Sequence, residues 1–206
     1  MLFRNRDDAA HQLAKKLAPF RGQRPLVLAI PRGAVPMAKI IARELDGELD
    51  VVLVRKLRAP GNPEFALGAI DETGWTYLGE QAFGYGGNDA YLEQEKQAQL
   101  AVMRERRAQY TPVRPPHDPA GRVVIVIDDG LATGSTMIAA LHALRAKNPQ
   151  RLVCAVPVAP PETVKKIMPY ADEVVCLAMP DYFYAVGQFY LDFPQVSDEE
   201  VIDALR

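Results

Sequence analysis

The stretch VVIVIDDGLATGST (123–136) decides how the rest of the chain is read. Its first five residues are β-branched and apolar, the pattern of a strand buried on both faces. Two carboxylates follow at once, Asp128 and Asp129. Side by side at the end of a buried strand they repel each other and lose hydration, so cations or hydroxyls are expected opposite them. Gly130 and Gly134 let the backbone turn tightly, and Thr133, Ser135 and Thr136 add hydroxyl donors where a helix begins. A helix start offers free N–H groups and the positive end of the helix dipole, which suits a phosphate. The lysine of the common nucleoside triphosphate loop is absent. The unit therefore reads as a place for a 5′-phosphate, with the two aspartates facing vicinal ribose hydroxyls or a hydrated Mg²⁺.

Working outward, PLVLAI (25–30) and LDVVLVRKL (49–57) read as buried strands, with a helix between them that opens after PRGA and runs to about Leu45. RDDAAHQLAKKL has helical spacing at Ala10, Leu13, Ala14 and Leu17. FALGAID and TGWTYLGE read as a hairpin turning at 72–74. Residues 88–110 carry the longest helical pattern, with Asn88 or Asp89 as its cap, and TPVRPPHDPAG is a proline-rich connection. After the opening strand come a helix over about 134–147, strands at 151–159 and 173–180 with a short helix between them, an aromatic tail and the capped helix SDEEVIDAL. Apolar strands alternating with helices predict an α/β fold, a parallel sheet flanked by helices. Ligands bind at the carboxyl ends of such strands. Three ends are polar and turn-prone: PRGA (31–34), RKLRAPGNPE (55–64) and DDGLATGST.

Composition narrows the classes. The chain has 206 residues, 49% hydrophobic and 24% charged, enough for one well-buried domain spanning 1–206. A net charge of −2 favours neither nucleic acid nor an anionic membrane as a partner. Cys154 and Cys176 sit in apolar runs, so buried thiols are expected rather than a disulfide. The first residues lack an apolar signal core and no uncharged run is long enough to span a bilayer, so the expectation is a cytoplasmic protein. His11, His117 and His142 have no metal-ligand spacing.

VIVIDDGLATGST resembles the phosphoribosyl pyrophosphate (PRPP) motif of type I phosphoribosyltransferases, and PRGA and APGNPE extend the likeness to an uncharacterised subgroup across nearly the whole chain. The resemblance implies a core over about 25–178 and a small C-terminal hood over about 179–196 that is joined by N-terminal elements. It implies a 5′-phosphate loop at Ala132, Thr133, Gly134, Ser135 and Thr136. It implies a pyrophosphate site at Arg32 and Gly33, reinforced by Arg55 or Lys56, with Arg58 further from the strand end. Asp128, Asp129, Lys56 and Arg32 would be the catalytic set, and Glu64 would orient the basic pair or face metal through water. The tail MPDYFYAVGQFYLDF is similar to the hood of 6-oxopurine enzymes, which implies base stacking by Tyr182, Phe183 or Tyr184. Asp192 would then join Asp128 and Asp129 near Mg²⁺. The aspartate that precedes TG in the hypoxanthine–guanine enzymes is Ala132 here, so the acceptor stays open. The implied activity is Mg²⁺-dependent transfer of the phosphoribosyl group from PRPP to a nitrogenous acceptor, by a homodimer. The alternative is a PRPP- or nucleotide-binding regulator of the same fold.

Overall fold

The computed structural model describes residues 2–80 and 82–206. Asn5 accepts a hydrogen bond from Asp8 N and so starts helix α1 (Arg6–Lys16), whose residues Ala9, Ala10, Leu13 and Ala14 are buried. Strand β1 (Leu26–Ala29) leads through PRGA into helix α2 (Ala34–Glu44) and strand β2 (Glu48–Val51). Three strands follow: β3 (Val54–Ala59), β4 (Asn62–Asp71) and β5 (Thr76–Leu78). The long helix α3 (Asp89–Tyr110) is capped by the Asn88 side chain on Tyr91 N, and strand β6 (Val123–Ile127) carries the opening motif. The chain then runs through α4 (Ser135–Arg145), β7 (Arg151–Val158), α5 (Pro161–Ile167), β8 (Glu173–Ala178) and α6 (Asp198–Leu205). Ser197 and Glu200 form a reciprocal cap at the start of α6.

Five strands form a parallel sheet in the order β2-β1-β6-β7-β8. Alternation with period two sorts their side chains onto two faces. Val123, Ile125 and Ile127 of β6 pack in the core built with α1, α2 and α6, whereas Val124 and Val126 pack with Met137 and Leu141 of α4. Both faces are covered, which is why these strands read as unbroken apolar runs. The chain leaves β1 towards β2 on one side and leaves β6 towards β7 on the other. The crevice between the carboxyl ends of β1 and β6 is thus the point where the strand order reverses, the place where such sheets bind ligands.

The stretch 49–57 differs from the expectation of one buried strand. β2 ends at Val51 in the parallel sheet, residues 52–53 cross over, and β3 begins a separate antiparallel sheet, β3-β4-β5. The apolar run LDVVLV holds no polar break between Val51 and Val54, so nothing in it marks the change of sheet. RKLRAPGNPE, expected as a turn-prone strand end, is itself a hairpin: Pro60 and Gly61 make its turn, and Ala59 pairs with Asn62. The expected turn at 72–74 is present, with Asp71 Oδ1 accepting from Thr73 N at 2.8 Å and Trp75 N at 3.1 Å. α3 packs on β3, β4 and α6 and forms a wall behind the hairpin. The hood is tied to the N-terminus: Phe3 N donates to Phe189 O, and Leu191 N and Asp192 N donate to Phe3 O and Arg4 O. No helix among the described residues is long and apolar enough to cross a membrane.

Candidate active site

At the crevice between β1 and β6 lies a cavity of about 560 Å³. Its floor is the acidic pair. Asp129 N donates to Asp128 Oδ1 at 2.9 Å, and Asp129 Oδ2 accepts from Arg6 Nε at 3.0 Å. Burial pushes the Asp128 carboxyl well above the usual range and the neighbouring Asp129 adds to this, while Lys56 and Arg6 oppose it. Burial also raises Asp129, offset by Arg6. The pair is thus short of positive charge and hydrogen-bond donors, which a ligand would supply.

The loop after the pair is held from three sides. Leu131 N donates to Val158 O at 2.9 Å, Thr133 Oγ1 lies 3.2 Å from Ser135 Oγ, and the buried Thr163 Oγ1 donates to Ala132 O at 2.6 Å. Gly134 has φ +81°, and a Cβ there would sit 2.9 Å from Thr163 Cγ2, so both the turn and the packing require glycine. Ser135 N donates to Thr133 Oγ1 at 3.4 Å, the next N–H groups of α4 have no intrahelical partner, and Ala132, Thr133, Gly134 and Thr136 line the cavity beside them. Ser135 stays in the loop interior, 6% exposed.

The opposite wall is cationic. Arg32 and Gly33 stand after β1, across a Pro31–Arg32 peptide that is cis, and Arg55, Lys56 and Arg58 come from β3. Arg55 Nε donates to Gln99 Oε1 at 2.9 Å, and Arg58 Nε donates to Glu95 Oε1 at 3.4 Å, so α3 aims both. Burial lowers the Arg55 pKa, helped by repulsion from Arg106, Arg58 and Arg32. Arg32 Nη1 lies 3.5 Å from Asp198. Three arginines and a lysine against the exposed Glu64 make this wall suited to a polyanion.

The candidates named from the sequence, Asp128, Asp129, Arg32, Gly33, Arg55, Lys56 and the 132–136 loop apart from Ser135, therefore converge on one cavity. The aromatic candidates do not. Tyr182 and Tyr184 are 81% and 88% exposed, and Phe183 packs on Phe189 with ring centroids 5.0 Å apart. Asp192 is exposed on the hood, its backbone bonded to Arg4, and does not line the cavity. The cause is hydrophobic packing: Phe189 and Tyr190 fill the hood interior, which turns the preceding tyrosines outward. The hood residues that do face the cavity are Val186, Phe193, Gln195 and Val196.

Sequence reasoning missed Arg6. Besides its bond to Asp129 it donates to Pro194 O and lies 3.9 Å over the Phe193 ring. One sequence signal exists: an arginine at the first position of a helix stands against the dipole preference that Asp7 and Asp8 obey.

The donor set tests the fit of a metal. It offers two adjacent carboxylates, and no group of three His, Cys, Asp or Glu side chains among the described residues makes a cage. Mg²⁺ commonly takes one or two carboxylates and completes its shell with substrate oxygens and water, so the residues fit an ion carried in with a pyrophosphate substrate.

Residues 2–194 match the model of the phosphoribosyl transferase domain. Two Mycobacterium tuberculosis proteins, each described as a "putative phosphoribosyl transferase", are 42% identical over 202 residues. The match takes in 98% of this chain and 46% of theirs, so the chain spans about half the length of these relatives. The crystal structure of TT1426 from Thermus thermophilus is similar over 100% of this chain and 98% of that one, at 50% identity and a TM-score of 0.81. A hypoxanthine phosphoribosyltransferase from Staphylococcus aureus shares the fold over 89% of this chain and 79% of its own, at 14% identity and a TM-score of 0.50. With an acidic strand end, a phosphate-type helix start and a cationic wall meeting where the strand order reverses, the chain belongs to the phosphoribosyltransferase family.

Proposed function

We propose that this chain transfers the 5-phosphoribosyl group of Mg²⁺·PRPP to a ring nitrogen of an acceptor and releases pyrophosphate. The observation that carries the reading is the convergence of three complementary surfaces on one cavity, spaced along β1, β6 and β3. The start of α4 takes the 5′-phosphate through backbone N–H groups and the hydroxyls of Thr133 and Thr136. Asp128 and Asp129 accept hydrogen bonds from the ribose diol and are the residues that would hold the metal. The ion, when bound, supplies charge neutralisation on the pyrophosphate oxygens. Arg32, Lys56 and Arg55 bind the pyrophosphate and stabilise the charge it gains as the C1–O bond breaks. The negative acidic pair offsets the positive charge that develops on the sugar. A C1–N bond forms to the acceptor, whose proton passes to solvent, since Ala132 occupies the place of a carboxylate base. No protein nucleophile is required, and positioning with water exclusion supplies much of the rate.

We read 1–206 as one functional unit in this reaction, because the N-terminal segment and the hood close the same cavity. The test is pyrophosphate release from Mg²⁺·PRPP with a panel of nucleobases. Base-dependent release that falls at least about 100-fold in Asp129→Asn supports transfer. Binding of PRPP with no base-dependent release overturns transfer to ordinary bases and favours a regulatory role.

A further inference from the structure

Recognition on the hood side of the cavity cannot rest on a free aromatic face. The Phe193 ring is taken up by Arg6 at 3.9 Å and by a stacked Tyr190 at 4.7 Å. Tyr182 and Tyr184 face solvent. What remains on that side is Val186, Val196, the Gln195 amide and the guanidinium of Arg6. No carboxylate stands among these hood residues.

Arg6 is held on two of its three nitrogens. Nε donates to Asp129 Oδ2 and Nη1 to Pro194 O. Nη2 has no hydrogen-bond partner among the described residues, and it lies 3.0 Å from where a Cβ on Gly33 would sit. Its free donors therefore sit where the acidic pair, the PRGA turn and the hood meet. On the transfer reading that junction is where sugar C1, the leaving pyrophosphate and the acceptor come together. The pyrophosphate already has Arg32, Arg55 and Lys56, whereas Arg6 is fastened to the hood.

We propose that Arg6 contacts the acceptor through Nη2 and sets its class, a ring with an oxo or carboxylate oxygen rather than an amino group on the edge that meets the guanidinium. A guanidinium has five donors and no acceptor. An exocyclic amino group opposite it would set donor against donor and leave both unpaired, a repulsive element in discrimination. Nε and Nη1 fix the plane of the fork, so its free edge is already oriented when the ligand arrives. The inference rests on the transfer reading, and its test separates the two.

The measurement is calorimetric binding of Mg²⁺·PRPP and of four nucleoside 5′-monophosphates to the full chain. Two carry purines, 6-oxo and 6-amino. Two carry pyrimidines, 4-oxo and 4-amino. Within each pair that binds, the oxo member is expected to bind about 10- to 100-fold tighter, the worth of a charged hydrogen bond. Arg6→Met abolishes the ratio between the oxo and amino members of each pair, while the lost bond to Asp129 weakens PRPP and all four nucleotides by a common factor. Arg6→Lys keeps the charge, loses the fork, and retains a reduced preference. It also carries the comparison if the methionine variant does not fold. Equal affinity within each pair, an amino preference, or an oxo preference that survives in Arg6→Met overturns the assignment of Arg6. PRPP binding with none of the four nucleotides overturns it too, and leaves the PRPP site standing. Binding of neither PRPP nor nucleotide overturns the transfer reading as well.

Discussion

Replacing Gly33 by alanine probes how closely the PRGA turn and the acidic pair are built together. The backbone permits it: Gly33 has φ −57° and ψ −33°, which any residue adopts. The space does not. An added Cβ falls well inside 3.0 Å of Asp129 Oδ2, and lies 3.0 and 3.1 Å from Arg6 Nη2 and Nε. Ordinary contact begins at 3.4 Å, so the carboxylate must retreat by more than 0.4 Å, carrying its 3.0 Å bond to Arg6 with it. Overpacking of this kind costs about 1–3 kcal/mol, and the stiffer unfolded chain returns about 0.4–1 kcal/mol. A net loss near 1–2 kcal/mol lowers Tm by roughly 2–8 °C in a chain of this size. On the transfer reading Asp129 holds the ribose, and displacing it by a fraction of an ångström to 1 Å then costs about 10- to 100-fold in turnover. Far-UV circular dichroism melts and the pyrophosphate-release assay read both quantities. A Gly33→Ala protein with unchanged Tm and PRPP turnover within about twofold of the parent would refute the claim that this turn packs directly on the acidic pair.

Thr163 offers a cleaner hydrogen-bond test, because it touches the 132–136 loop without lining the cavity. Thr163→Val keeps the shape and leaves Ala132 O without its donor. It is expected to raise the PRPP KM about 5- to 30-fold with a smaller change in kcat, while Thr163→Ser restores the parent value; equal KM values in all three would remove the loop-anchoring role. Tyr110 is fully buried, its hydroxyl 3.0 Å from Asp198 Oδ1, and burial with that neighbour pushes its pKa up to about 12. A pKa raised in the folded state means that the folded chain holds the proton longer than the unfolded one. Stability is therefore full below the ordinary value near 10 and falls as pH rises from there towards 12. Tyr110→Phe flattens that part of the Tm-against-pH curve, and an unchanged slope would contradict the assignment.

Much of the architecture was legible because it is local. A five-residue β-branched run can only be covered on both faces, and small residues with hydroxyls after two aspartates set a turn and a helix start. Arg32, Lys56 and the 128–136 motif could each be named as candidates from such stretches. The split of 49–57 was not legible, since the change from a parallel to an antiparallel partner occurs inside an unbroken apolar run. The hood misled for a related reason. Six aromatic residues lie between 182 and 193, and composition cannot say which of them fill the interior. Packing puts Phe189 and Tyr190 inside, leaves Tyr182 and Tyr184 in solvent, and gives Phe193 to the cavity.

Outside 49–57, the sequence alone therefore determined the strand and helix order, the acidic pair and the phosphate-type loop, because each depends on residues close to one another along the chain. The tertiary structure decided which cations reach the pair. Arg6 lies 123 positions from Asp129, and Arg55 lies 44 from Gln99, so no spacing rule links either pair. Only when the N-terminal segment bonds to the hood, and α3 packs behind the β3–β4 hairpin, do these charges become neighbours. Burial then makes their proximity matter: in a crevice screened from water, two carboxylates need a fixed guanidinium beside them, which a distant element of the chain brings.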